Sequence, residues 1–188
     1  MNNQESESGL ENNLCFKRSF SFGHNYSLWI KLTVWIPVVL MAVVIFAFSS
    51  QNGEESGGLS YKVAEAVVDF ADIFADIDGE SREDIINTLQ FPIRKAAHMT
   101  EYAIFAVLVY IALMVDGLRY KWRLWLSVAA AFVFAGSDEL HQFFVPGRCG
   151  AFTDVLIDTA GAAVAMLFMA LAAHCRNLLD KSDKNVLS

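Results

Sequence analysis

Four long runs of apolar residues alternate with polar segments along this chain of 188 residues. The runs lie at about 30–50, 93–115, 122–144 and 154–174. Each is close to the length of about 20 residues that a helix needs to cross about 30 Å of hydrocarbon. Segments such as AIFAVLVYIALMV are apolar on every face, which favours membrane spans over the buried helices of a soluble all-α bundle. The pattern therefore predicts an all-α polytopic membrane protein with a bundle of four transmembrane helices.

The segment between the first two runs, 51–92, has a helical pattern of its own. Its apolar residues recur at spacings of three and four, which predicts one stripe on an amphipathic helix; they are Leu59, Val63, Val67, Phe70, Phe74 and Ile77. Ser81 and Asp84 resemble a capping box for a second short helix, which Phe91-Pro92 ends. Because the opposite face is acidic, we expect the stripe to pack over the outer ends of the bundle; a position on the membrane surface is the alternative.

Basic residues indicate the orientation, because cytoplasmic loops carry an excess of Lys and Arg. With both termini inside, five of the 14 basic residues lie outside, namely Lys62, Arg82, Arg94, Lys95 and Arg148. The other nine lie in cytoplasmic segments. We therefore expect cytoplasmic tails at 1–27 and 176–188, a membrane domain at 28–175 and a helical outer loop at 51–92. The first run could also be a signal peptide, but the polar leader and the apolar run are both longer than usual for one.

Composition agrees with a membrane protein. Hydrophobic residues make up 55% of the chain and charged residues 19%, whereas soluble domains average about 45–50% and about 25%. The net charge of −7 and the lack of a basic patch argue against a nucleic-acid-binding protein. Cys15, Cys149 and Cys175 are widely spaced and form no CxxC pair, which argues against a disulfide framework and a structural zinc site.

Ionisable residues cluster at the helix ends that are predicted to face outward. Arg94, His98 and Glu101 are spaced to share one face of the second predicted span. The other members lie at the end of the third span, in the following turn and at the start of the fourth; they are Asp138, Glu139, His141, Gln142, Arg148, Asp154 and Asp158. Because charged groups in lipid are costly, each is a candidate functional residue. The pattern predicts a polar pocket that opens to the external leaflet.

Several kinds of chemistry fit this pocket. Arg94, Lys95 and Arg148 could simply pair with the carboxylates and lock the helices together. The surplus of acids also leaves a divalent metal open, although the spacing matches no zinc motif; its candidate ligands are His98, Glu101, Glu139, His141 and Asp158. General acid–base catalysis is a further alternative, with His98, Glu101, Asp138, Glu139 and His141 as candidate catalytic residues. Ser137 is the candidate nucleophile for such a reaction, because it lies four residues before His141 and therefore on the same helix face.

Anion binding is the last alternative, because arginine can clamp a phosphate with two hydrogen bonds. Arg94, Lys95 and Arg148 surround the predicted mouth. A lipid headgroup or a lipid-linked phosphate would suit them. The candidate residues for binding a substrate or an anion are Arg94, Lys95, Gln142, Arg148, Asp154 and Asp158.

Four separate motifs carry a family resemblance across about 48–165. They are Phe48-Ser49-Ser50-Gln51; Arg94-Lys95-Ala96-Ala97-His98 with Glu101-Tyr102; Asp138-Glu139-Leu140-His141-Gln142 running into Val145-Pro146-Gly147-Arg148; and Asp154-Val155-Leu156-Ile157-Asp158 with Gly161. In this order and spacing they resemble the VanZ-like family of small bacterial membrane proteins, named for a protein linked to teicoplanin resistance. The resemblance implies a protein of the bacterial cytoplasmic membrane that acts in cell-envelope biology.

Three functions are consistent with these residues and motifs. The first is a factor that binds a lipid-linked or antibiotic headgroup at the outer leaflet. The second is a membrane-embedded hydrolase or transferase that acts on a lipid-linked phosphate. The third is a structural or regulatory partner of another membrane protein, in which the charges serve only packing.

Overall fold

The computed structural model describes residues 26–51, 53–75, 79–148 and 150–186. The described residues form five helices and no strand, which confirms the all-α prediction. The helices are α1 (Leu28–Ser49), α2 (Gly53–Ala75), α3 (Gly79–Val115), α4 (Tyr120–Gln142) and α5 (Phe152–Val186).

Three of these helices are long and apolar enough to cross a membrane. Within the described residues they are Leu28–Ser49, Ser81–Val115 and Phe152–Leu179. Only 17% of the most apolar stretch of α1 is buried, so most of its apolar side chains lie on the surface. Helix α4 is not among the three, because polar side chains such as Arg123 and Asp138 shorten its apolar stretch at both ends. The fourth predicted span stays a prediction.

Helix α3 is the centre of the fold and packs against each of the other four helices. Its 37 residues make it about 55 Å long, which exceeds the roughly 30 Å of a hydrocarbon core. The bundle core is formed by α1, α3, α4 and α5 and is rich in small residues, which let helices approach closely. It includes Ile45, Tyr102, Phe105, Ala106, Val109, Ala131, Ala135, Ala162 and Met166.

The predicted helix break at Phe91-Pro92 is wrong, because α3 continues through Pro92. Proline removes one backbone hydrogen bond from a helix interior. Packing on both sides of it compensates here. Ile86 lies before Pro92 and Ile93 after it, and both belong to the cluster that Ala64 and Val68 of α2 form against α3. Contact with α2 therefore supports both halves of one long helix.

Only the first part of the apolar stripe of α2 faces the bundle, where Leu59 and Val63 line a cavity against α3 and the end of α1. The buried face of α2 is instead the one with Ala64 and Val68, which are 0% and 1% exposed. Phe74 of the predicted stripe is 77% exposed. Ala64 is small enough to let the two helix axes approach, so the later stripe residues Phe70 and Phe74 are left on the outside. An ion pair between Arg82 and Asp69 also holds α2 against α3. Ile77, the last residue of the stripe, lies outside the described residues.

Helix α5 extends beyond its predicted end at 174 and reaches Val186. Most residues after 176 are polar, which predicts a tail, but Leu and Lys have high helix propensity and are compatible with a continuing helix. Cys175 lies in this extension and is exposed. Cys15 and Cys149 lie outside the described residues, as do residues 1–25 of the predicted N-terminal tail.

Candidate functional site

A close helix crossing assembles the site. A Cβ atom added at Gly161 of α5 would lie only 2.8 Å from the carbonyl carbon and 2.9 Å from the Cα of Met99 on α3. Glycine is therefore required for these two backbones to touch. The crossing brings Asp158, one turn before Gly161, close enough to His98 for a direct electrostatic interaction. Both are site residues that the sequence predicts.

A cavity of ≈130 Å³ opens beside this crossing. Its polar lining comes from α3, from the end of α1, from α2 and from the turn after α4: Gln51, Ser60, Arg94, His98, Glu101 and Arg148. Its apolar lining comes mostly from Phe48, Leu59, Val63 and Ile93. The structure thus brings together four predicted site residues, namely Arg94, His98, Glu101 and Arg148. It also makes α2 a wall of the cavity; the expected packing of α2 over the outer helix ends places the helix nearby but does not identify Ser60 as a lining residue.

The turn after α4 positions Arg148. Gly147 has a φ of 76°, a conformation that favours glycine, and the Arg148 backbone N–H donates to the Val145 carbonyl at 3.2 Å. The Arg148 side chain reaches back to α1, where Nη2 donates to the Phe48 carbonyl at 3.3 Å. Burial, and next the positive charge of Arg94, lower the pKa of Arg148 from its ordinary value. Among the described residues, neither arginine forms an ion pair with a carboxylate.

His98 and Glu101 form the acid–base pair of the cavity. Nδ1 of His98 lies 3.5 Å from Oε2 of Glu101, three residues later on the same face of α3. Both side chains are mostly buried. Protonation of His98 would make this contact an ion pair. The pair can therefore hold a proton beside two guanidinium groups.

Unsatisfied polar atoms concentrate around this cavity. Among the described residues, seven buried side-chain atoms have no partner at full hydrogen-bond geometry, and six of them lie in or next to the cavity: Ser49 Oγ, His98 Nδ1, Glu101 Oε2, Tyr102 Oη, Asp138 Oδ1 and Arg148 Nε. Four of the six face each other at longer range, His98 with Glu101 at 3.5 Å and Ser49 with Asp138, so Tyr102 Oη and Arg148 Nε are the clearest unsatisfied groups. Most buried polar groups in native proteins are satisfied. If the charges served only to lock helices together, such a concentration would be costly.

Asp138 and Gln142 lie deeper than the cavity. Asp138 is 1% exposed, and Nε2 of Gln142 donates to its Oδ2 at 3.2 Å. Tyr102, which is fully buried, interacts electrostatically with Asp138 and Asp158. These residues form a polar layer between the cavity and the apolar core.

Three other predicted site residues serve the scaffold. Nζ of Lys95 lies 2.5 Å from Oδ2 of Asp154, which ties α3 to the first turn of α5. Oε1 of Glu139 accepts a hydrogen bond from the Ala151 backbone N–H at 2.5 Å, just before α5 begins. Neither Lys95, Asp154 nor Glu139 lines the cavity.

His141 lies apart from the His98 cavity. Its ring stacks on Phe46 of α1 with a centroid distance of 4.3 Å, and its Nε2 lies 3.2 Å from Ser50 Oγ. Ser137, the serine that helical spacing suggests, donates instead to the Phe134 carbonyl at 2.7 Å. The partner of His141 thus comes from the end of another helix, which spacing along α4 cannot reveal.

The metal hypothesis gains no support from this geometry. In the part of the chain that the structure describes, no group of three or more His, Cys, Asp or Glu side chains is arranged to hold a metal ion. The five proposed ligands are divided instead. His98, Glu101 and Asp158 lie at the α3–α5 crossing, Glu139 binds Ala151, and His141 faces Ser50.

Five polar site residues that the structure identifies have no role predicted from the sequence. Ser49, Ser50, Gln51 and Tyr102 belong to the motifs of the family resemblance, so the motifs themselves are the signal that could have found them. Ser60 of α2 carries no such signal, because only the register of α2 on α3 brings it to the cavity.

Long apolar helices that surround a cluster of buried polar groups define a polytopic membrane protein with an internal polar site. The family model described as VanZ/LLP1 matches residues 34–173. The chain belongs to this family, as the four motifs indicate, and is a VanZ-like membrane protein. Comparison with curated proteins and with solved structures found no match.

Proposed function

We propose that this protein binds the anionic headgroup of a lipid-linked molecule in the Arg94–Arg148 cavity. It does so at the outer face of a bacterial cytoplasmic membrane, with both termini in the cytoplasm. The observation that carries this proposal is the pair of arginines in one cavity, where no carboxylate of the described residues forms an ion pair with either. An anion would relieve the repulsion that Arg148 experiences from Arg94, and guanidinium groups bind phosphate with good geometry.

The lining and size of the cavity favour a lipid. Leu59 and Val63 form an apolar wall beside the arginines, which suits the glycerol or acyl part next to a headgroup. The volume of ≈130 Å³ is below the roughly 300–1,000 Å³ typical of drug-sized pockets. The cavity therefore suits one headgroup better than a whole glycopeptide antibiotic. A role in glycopeptide resistance or in cell-envelope biology would then act through an envelope lipid.

The proposed topology treats α4 as a fourth span. Its outward face carries large apolar side chains, among them Trp125 at 73% and Val133 at 70% exposure, which suit contact with lipid. At its first turn Arg123 is buried near the rings of Tyr110 and Tyr120, with centroid distances of 5.4 and 5.7 Å. These rings shield a positive charge at the end that the basic-residue rule assigns to the cytoplasm.

Native mass spectrometry of the purified protein tests the binding function. The probe is dioleoyl phosphatidic acid, added in detergent and compared with dioleoyl phosphatidylcholine. Arg94→Gln and Arg148→Gln should each weaken binding of phosphatidic acid by about tenfold or more, since hydrogen bonds to charged groups contribute about 1.5–3 kcal/mol. Arg119→Gln, at an exposed arginine in the turn between α3 and α4, is the matched control and should bind normally. Equal binding by all three variants would refute the proposal.

A second candidate function is hydrolysis, and the Ser50–His141 contact favours it. In the structure Ser50 Oγ donates to the Phe46 carbonyl at 2.7 Å, so its hydroxyl must first turn toward His141 Nε2, which lies 3.2 Å away. The imidazole would then accept the Ser50 proton as Oγ attacks an ester, and it would return that proton to the leaving alkoxide as the ester bond breaks. A fluorophosphonate probe should then label the protein at Ser50, and Ser50→Ala should abolish labelling while Ser137→Ala retains it. Labelling that is absent, or unchanged in Ser50→Ala, would contradict this function.

A further inference from the structure

A second cavity, of ≈210 Å³, lies between α2 and the N-terminal half of α3. It is lined by Gly57, Ser60, Asn87, Gln90, Phe91 and Arg94. Ser60 and Arg94 also line the first cavity. The two cavities therefore adjoin at these side chains, so a ligand whose anionic group contacts Arg94 can extend from one space into the other.

The polar groups of the second cavity differ from those of the first. Apart from Arg94 its described lining is uncharged, and it includes no carboxylate. An ammonium headgroup would meet the charge of Arg94 there without a compensating acid, which is unfavourable in a partly buried site. Ethanolamine and choline headgroups are therefore poor candidates for this space.

The two amide side chains are arranged for a hydroxyl-bearing ligand. Nε2 of Gln90 donates to Oδ1 of Asn87 at 2.9 Å on the open side of the cavity. That bond leaves the Asn87 NH₂ group as a donor and the Gln90 oxygen as an acceptor. A hydroxyl group both donates and accepts, so it can pair with either. The ring of Phe91 adds an apolar surface of the kind that the C–H groups of a sugar or polyol contact.

We propose that the ligand is a lipid in which a polyol or sugar is attached to the phosphate. The phosphate lies between Arg94 and Arg148 in the first cavity, and the hydroxyl-bearing group lies beside Asn87 and Gln90 in the second. This assignment rests on the proposed anion site. It adds the substrate class: the headgroup is anionic at the phosphate and neutral and hydroxylated beyond it.

Two glycines of α2 offer a matched pair of variants. A Cβ atom added at either Gly57 or Gly58 meets nothing within 4 Å, so both positions have open space where a larger side chain begins. Gly57 lines the second cavity and Gly58 does not. Gly57→Leu therefore places a leucine side chain beside the second cavity. Gly58→Leu makes the same substitution in the same helix at a position that does not line this cavity.

The test compares dioleoyl phosphatidylglycerol with dioleoyl phosphatidylmethanol, which has the same charge and phosphodiester but no headgroup hydroxyl. Native mass spectrometry of the purified full chain should give a preference of about tenfold for phosphatidylglycerol, as expected for one to three added hydrogen bonds. The preference should fall to about one in Gly57→Leu and in Asn87→Leu, and it should persist in Gly58→Leu. A melting curve of each variant verifies folding.

The outcomes separate the two proposals. Equal binding of both lipids by the unaltered protein, or a preference that survives both Gly57→Leu and Asn87→Leu, overturns the second-cavity assignment. If binding of both lipids then still depends on Arg148, the anion site stands. If Arg148→Gln changes neither lipid, the anion site itself fails. Full displacement of phosphatidylglycerol by an equal concentration of soluble glycerol phosphate would overturn the assignment to a lipid.

Discussion

The contact between Gly161 and Met99 makes Gly161→Ala the most informative structural test of this fold. The added methyl group would lie 2.8 Å from the Met99 carbonyl carbon, whereas carbon atoms pack best at about 3.5–4.0 Å. The obstacle is backbone, which cannot rotate away as a side chain can. The two helices must therefore move apart by at least about 0.7 Å, or the backbone around Gly161 and Met99 must distort by a similar distance.

Overpacking of this kind costs about 1–3 kcal/mol. For a chain of this length, about 2 kcal/mol corresponds to a fall in melting temperature of about 4–8 °C. The same separation would displace α3, which carries Arg94 and His98, relative to the other helices of the site, so anion binding in the first cavity should weaken as well. The assay is thermal unfolding of the detergent-purified protein, followed by tryptophan fluorescence, together with lipid binding by native mass spectrometry.

Gly136→Ala is the matched control, because a Cβ atom there meets nothing within 4 Å. Replacing a glycine inside a helix with alanine removes an entropic penalty of roughly 0.5–1 kcal/mol. Gly136→Ala should therefore leave the melting temperature unchanged or raise it. If Gly161→Ala is as stable as Gly136→Ala and binds lipid normally, the close crossing of α3 and α5 is not what assembles the site.

Individual contacts give three further predictions. Glu139→Gln keeps an oxygen that can accept a hydrogen bond from the Ala151 N–H, so its melting temperature should be close to that of the unaltered protein. Glu139→Leu should lower the free energy of unfolding by about 1–3 kcal/mol. Equal melting temperatures of the two variants would contradict the scaffold role of Glu139. Val68→Ser should destabilise the protein far more than Phe74→Ser, since Val68 is 1% and Phe74 77% exposed; the reverse order in thermal unfolding would mean that the apolar stripe of α2 packs on the bundle. A membrane-impermeant maleimide should label Cys149 in intact cells and the exposed Cys175 only after cells are permeabilised, and labelling of Cys175 in intact cells would refute a cytoplasmic C-terminus.

The α2–α3 hairpin shows how far periodicity alone can predict structure. The spacing of three and four correctly indicates a helix in the region of Leu59–Phe74. It does not indicate which face is buried, because the most apolar face is not the one that packs. Ala64 and Val68 are buried because their small size suits a close approach to Ile86, and the register of two distant segments decides this.

The cavity shows the same limit for charged residues. Arg94, His98 and Glu101 can be grouped from the sequence because positions three and four apart share one face of a helix. The sequence places Arg148 at the same outer end of the bundle but does not show that it shares a cavity with them. It also predicts that Lys95 lies at the mouth of the pocket, whereas in the structure Lys95 pairs with Asp154. The partner of His141 is Ser50, from a helix end 91 positions away along the chain. No local spacing carries that information.

The sequence by itself determined the all-helical architecture, the membrane character and the concentration of polar residues at one set of helix ends. These follow from local patterns, since apolar runs and helical spacing act over a few turns. Only the tertiary structure decided which polar residues share a cavity, which of them hold the scaffold and which face of α2 is buried. Those outcomes depend on where helices cross, and the crossing of α3 and α5 at Gly161 and Met99 depends on two segments that lie far apart in the chain.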